Sequence, residues 1–61
     1  MKIFTQYIYE KKWSETSMKD ALRIIEEEMP DTDSEGIWHY IQAEIHQGKV
    51  VTLGECRFKS V

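Results

Sequence analysis

At 61 residues, 41% hydrophobic and 31% charged, with a formal net charge of −3, the chain has room for one domain and too much apolar and aromatic content for a disordered segment. Its single cysteine, Cys56, excludes an intrachain disulfide, and no run approaches the roughly 18 consecutive apolar residues of a membrane span. Domains this short bury only about 60% of the surface that the unfolded chain exposes, and they commonly add disulfides, a metal or a second subunit. With the thiol staple absent, a partner is expected. The opening residues also lack the unbroken apolar core of a signal peptide, so the expected location is the reducing cytoplasm.

Charge is unevenly distributed. From Ile24 to Gly48 there are seven acids (Glu26, Glu27, Glu28, Asp31, Asp33, Glu35, Glu44) and no Lys or Arg, whereas the segments on either side each carry a net charge of +2. An acidic stretch of this kind reads either as a solvated helix end and turn or as a surface that docks on a basic partner.

Residues 2–9, KIFTQYIY, are rich in β-branched and aromatic side chains and read as a strand, although Ile3, Phe4, Tyr7 and Ile8 also fit one face of a helix. As a strand it would be apolar on both faces, with Ile3, Tyr7 and Tyr9 on one side and Phe4 and Ile8 on the other. Residues 10–16 form a polar connection, with Trp13 expected to fold back onto the core.

Ser17 and Asp20 have the spacing of a capping box, and Met18, Ala21, Leu22, Ile25 and Met29 recur as a helical stripe that Pro30 ends, predicting a helix over 17–29. A turn follows. Either Asp33, or Thr32 with Glu35, caps a second helix over 33–47, whose stripe is Ile37, Trp38, Ile41 and Ile45 and whose end is marked by Gly48. In VVTLGECRFKS, Gly54-Glu55 suits a type II′ hairpin loop, which pairs Leu53 with Cys56, Thr52 with Arg57 and Val51 with Phe58. That register gathers Val51, Leu53, Cys56 and Phe58 on one face and Val50, Thr52, Arg57 and Lys59 on the other. The predicted architecture is a single α+β domain of order β-α-α-β-β, two helices packed on one face of a three-stranded sheet.

No motif names a chemistry. Asp31–Gly36, DTDSEG, resembles the opening of an EF-hand calcium loop, but the twelfth position, where a bidentate Glu belongs, is Gln42. His39 and His46 lie seven positions apart on one helix, about 10 Å, too far to share a metal. Cys56 falls on the buried face of the hairpin, where a thiol acts as a small hydrophobe, and no glycine-rich phosphate loop exists. No enzyme activity, cofactor, metal or small-molecule substrate is therefore expected.

The helix-to-hairpin run from Ile45 to Phe58 resembles that of HU-type histone-like proteins over about a quarter of the chain, without their basic arms, and helix-helix-hairpin is also the order of a winged helix. A winged helix would touch phosphate through the basic patch of the hairpin, Lys49, Arg57 and Lys59, but the acidic second helix argues against phosphate binding. The leading expectation is a non-enzymatic protein interaction module of accessory or regulatory kind. It would bind another protein or a second copy of itself through Phe4, Tyr7, Ile8, Tyr9, Glu27, Glu28 and Asp31, with a small winged-helix regulator as the alternative.

Overall fold

The computed structural model describes all 61 residues, which form β1 (Ile3–Tyr7), β2 (Ser14–Glu15), α1 (Met18–Glu28), α2 (Ser34–His46), β3 (Val51–Leu53) and β4 (Cys56–Ser60). The four strands make one antiparallel sheet in the order β2-β1-β4-β3. The small α+β class expected from the sequence is present, with one strand more than predicted. The connection after β1 turns back at Glu10 and pairs Glu15 with Phe4 and Ser14 with Thr5, so β1 lies inside the sheet. Two residues are too few for a periodic signal, which is why the sequence conceals β2.

Both helices are set by their caps. The Asp20 N–H donates to Ser17 Oγ (3.1 Å) at the start of α1, and the Gly36 N–H donates to Asp33 Oδ1 (3.2 Å) at the start of α2. Asp33 is thus the cap of the second helix, and Thr32 instead donates its hydroxyl to the Met29 carbonyl (2.6 Å), closing the turn between the helices. Gly48, at φ 86°, ends α2 in a Schellman arrangement: its N–H donates to Ile45 O (3.0 Å) and that of Lys49 to Glu44 O (3.3 Å).

The core is an eight-residue apolar cluster, Ala21, Ile24, Ile25, Trp38, Ile41, Ile45, Cys56 and Phe58. The stripe of α2 and the buried face of the hairpin match the sequence reading, while that of α1 is rotated from it. Ile24 is buried, but Met18 and Met29 are 60% and 38% exposed. Ala21, Ile24 and Ile25 share the buried face, and the two methionines lie together along one side of it. One polar pair shares this interior. Thr16 Oγ1 spends its proton on the Ser14 carbonyl (3.1 Å), so Thr5 Oγ1 is the donor in the buried 2.6 Å bond between the two hydroxyls.

The hairpin register is the predicted one, and Gly54 alone takes a positive φ, 58°, as a type II′ loop requires. Asp31, immediately after Pro30, is the one non-glycine residue with a positive φ, 67°. Opposite outcomes follow at these two positions. Asp31→Gly relieves a strained backbone and should raise the denaturant midpoint, by about 0.5–1 kcal/mol of stability with an unchanged m-value. Gly54→Ala should lower stability by about 1–2 kcal/mol in the same measurement, because its Cβ would also stand 2.7 Å from Glu28 Oε1.

Candidate functional site

The pairing β1–β4 assigns the faces of the opening strand. Ile3, Thr5 and Tyr7 stand opposite Ser60, Phe58 and Cys56 on the helix side, whereas Phe4 and Gln6 stand opposite Lys59 and Arg57 on the open side. The open side is covered from within the chain. Lys59 Nζ lies 4.4 Å from the centre of the Trp13 ring, and Trp13 belongs to the far side of β1, so the lysine stem lies across the strand that carries Phe4. Arg57 Nη1 donates to Gln6 Oε1 (3.3 Å), and Gln6 is 7% exposed despite facing away from the helices. Trp13 does fold back, on the open face and not on the core beneath the helices.

The three bases assigned to nucleic acid in the sequence reading are consequently all engaged within the chain. Arg57 is bonded to Gln6, Lys59 lies on Trp13, and Lys49 Nζ pairs with Glu44 Oε2 at 3.2 Å. Of the three, only Lys49 is paired with an acid; Gln6 and the Trp13 ring are neutral, so the exposed Arg57 and the half-buried Lys59 keep their charge on the open face.

The predicted partner-binding residues are brought together at one end of the sheet, with two exceptions. Tyr7 and Tyr9 stack at 5.5 Å between ring centres and 15° between planes, leaving Tyr9 73% and Ile8 52% exposed. The backbone there is held by acids and by the hairpin loop: the Tyr7 N–H donates to Glu10 Oε1 (2.9 Å), and the Ile8 N–H to the Glu55 carbonyl (2.9 Å). Glu28, half-buried at the end of α1, accepts the Glu55 N–H at 2.6 Å and lies over Gly54. Glu27 is close by and pairs with Arg23 (3.4 Å). Phe4 is the first exception, half-buried on the open face, and Asp31 the second, exposed in the turn beyond α1.

Beside this end, the turn between the helices, one face of α2 and the end of β3 border a wide-open groove of about 550 Å³, lined by Met29, Thr32, Asp33, Gly36, Ile37, Tyr40 and Leu53. Met29, Ile37 and Leu53, expected on buried faces, border this groove instead, together with Tyr40, for which no role is expected from the sequence. The signal lay in α2, whose apolar arc of Ile37, Trp38, Tyr40, Ile41 and Ile45 is wider than the face the sheet can bury; Tyr40 is 61% exposed. A smaller cleft of about 280 Å³ runs between the helices past Met18, Leu22, Glu35, Trp38, His39 and Gln42.

Chemically this end is apolar and anionic. No group of three His, Cys, Asp or Glu side chains is arranged to hold a metal ion, and the EF-hand-like segment is not a loop, since α2 begins at Ser34 and Asp33 is committed to capping it. Burial pushes the Cys56 thiol up to about 11, with the charge of Glu28 adding to the effect. Burial likewise raises the Tyr7 phenol, assisted by Cys56, Glu27 and Glu28. Neither group is prepared for nucleophilic work near neutrality.

Both groups are neutral in the folded state at pH values where the unfolded chain would ionise them. Stability is therefore fully present below the ordinary thiol value of 9.0 and declines as pH rises towards about 11. Denaturant titrations across that range should show the decline, and Cys56→Ala, though less stable at neutral pH, should show a shallower one. No helix is long and apolar enough to cross a membrane. Compared with known proteins, the chain matches no family model, no curated protein and no solved structure.

Proposed function

We propose that the chain is a non-enzymatic protein interaction module, accessory or regulatory in role, which engages another protein through the end of the molecule built by Tyr7, Ile8, Tyr9, Glu27, Glu28 and the adjoining groove. The observation that supports this reading is the company kept by Ile8 and Tyr9. Two large, well-exposed side chains extend past the end of a strand, one of them stiffened by an aromatic stack, beside two glutamates and an open apolar groove. Aromatic side chains held in place lose little freedom on binding and are over-represented among residues that dominate interface energies.

A different protein suits this surface better than a second copy does. A two-fold dimer places the same patch on both sides of the interface, so that Glu27, Glu28 and Glu55 of one copy would face those of the other. The centre of β1 offers no stronger case, because Trp13, Lys59 and Arg57 already cover its open side. We place the protein in the cytoplasm, where the buried, unpaired Cys56 would remain reduced.

Affinity capture from the source cell, performed with the parent chain and with the double variant Ile8→Ser/Tyr9→Ser, tests the reading. Both side chains are exposed, so the variant should keep the parent's circular dichroism and denaturant midpoint to within about 0.5 kcal/mol. Recovery of the specific partner should fall at least about tenfold. Equal recovery by the parent, this variant and a Tyr40→Ser variant would overturn the proposal. In light scattering the free protein should remain a monomer over the whole concentration range.

A further inference from the structure

Building on that interaction module, we infer that the groove between α2 and β3 is a docking site for a basic amphipathic segment of a partner protein, one that presents apolar anchor side chains flanked by Lys or Arg. The floor and walls are Met29, Ile37, Tyr40 and Leu53, and the groove's volume of about 550 Å³ lies within the roughly 300–1,000 Å³ typical of ligand pockets. Little inside it competes for polar contacts. The Thr32 hydroxyl is spent on the Met29 carbonyl, and Asp33 Oδ1 on the Gly36 N–H.

Charge selects the occupant. Asp33 is the one acid that lines the groove; the exposed Asp31 directly precedes the lining residue Thr32 in the turn, and Glu28 precedes Met29 and lies over Gly54, the neighbour of Leu53. No Lys or Arg occurs anywhere from Ile24 to Gly48. The flanking cations are already neutralised: Arg23 by Asp20 and Glu27, Lys49 by Glu44. An anionic rim around an apolar floor disfavours a second copy of this acidic chain and any nucleic acid, and it draws in a cationic segment whose apolar residues fill the groove. Gly36 contributes to the rim as well, because its missing Cβ makes room for the Asp33 carboxylate, whose Oδ2 would lie 2.6 Å from such an atom.

The test is an amide-resolved NMR titration of the full chain with three synthetic helical peptides: one patterned in Leu and Lys, one with Lys replaced by Glu, and one with Leu replaced by Ser. The Leu/Lys peptide should shift Thr32, Gly36, Ile37, Tyr40 and Leu53, with an affinity that weakens between about 50 and 200 mM salt. The other two should leave these signals in place. Asp31→Asn/Asp33→Asn keeps a residue suited to the left-handed turn and a competent helix cap while removing two charges, and it should weaken binding by about threefold to tenfold. Tyr40→Ser should weaken it further.

Absence of shifts, shifts equally strong with the Ser/Lys peptide, or shifts confined to Ile8 and Tyr9 would each overturn the inference. The interaction-module reading would survive any of these provided partner capture still depended on Ile8 and Tyr9. It would fall separately if capture were indifferent to all the variants.

Discussion

The antiparallel pairing of β1 with β4 is the contact on which everything else in this molecule depends. It joins residues 3–7 to residues 56–60, so forming it closes nearly the whole chain into one loop, at an entropic cost of about 3–4 kcal/mol beyond the constant term. Once made, it places Phe58 and Cys56, both fully buried, beneath the helices, and gives Ile24, Ile25, Trp38, Ile41 and Ile45 something to pack against. The hairpin β3–β4 and the short pairing β2–β1 are local by comparison and are added to its two sides. With only 11 of 61 residues buried, no second core exists to hold the fold if this one is weakened.

The same pairing decides how a small chain manages a strand that is apolar on both faces. The helices cover one side. On the other, two long cationic side chains do what a second layer would do in a larger protein: Arg57 closes over Gln6, and Lys59 stretches over β1 to the Trp13 ring. Their charged ends stay near water while their stems shield the strand, a use of Lys and Arg in which the hydrocarbon matters as much as the charge. Residues that look like a basic patch when read along β4 are thereby occupied in building the sheet's outer surface.

What remains unsatisfied collects where β1 ends, past Tyr7. Tyr9 and Ile8 run past the end of β1, the groove lies between α2 and β3, and the glutamates at the end of α1 stand between them, with Glu28 joined to the hairpin loop through the Glu55 amide. Acids there also serve the backbone, as Glu10 does for Tyr7 and Asp33 for Gly36, so the negative charge is part of the local architecture as well as of the surface it presents. The proposed function and the proposed ligand chemistry both draw on this coincidence of exposed apolar area with fixed anionic charge.

Local rules account for what the amino-acid order determined alone. The cap at Ser17, glycines at Gly48 and Gly54, and the alternation in residues 51–58 involve contacts a few positions apart and were legible, whereas the cap of α2 lay open between Asp33 and Thr32 with Glu35. The clustering of Tyr7, Ile8, Tyr9, Glu27 and Glu28 was anticipated as a list of residues but not as one place, since it arises from β1 and α1 ending side by side. Tertiary structure decided the rest. Ile24 displaced Met18 and Met29 from the core because helix orientation is set by the elements it packs against, α2 foremost, and Ser14–Glu15 became a strand only because β1 lay next to it. Lys59 and Arg57 became cover for a strand more than 50 residues earlier, and the groove opened where α2 carried more apolar surface than its neighbours could bury. All four outcomes come from contacts between distant parts of the chain, which no periodicity along it encodes.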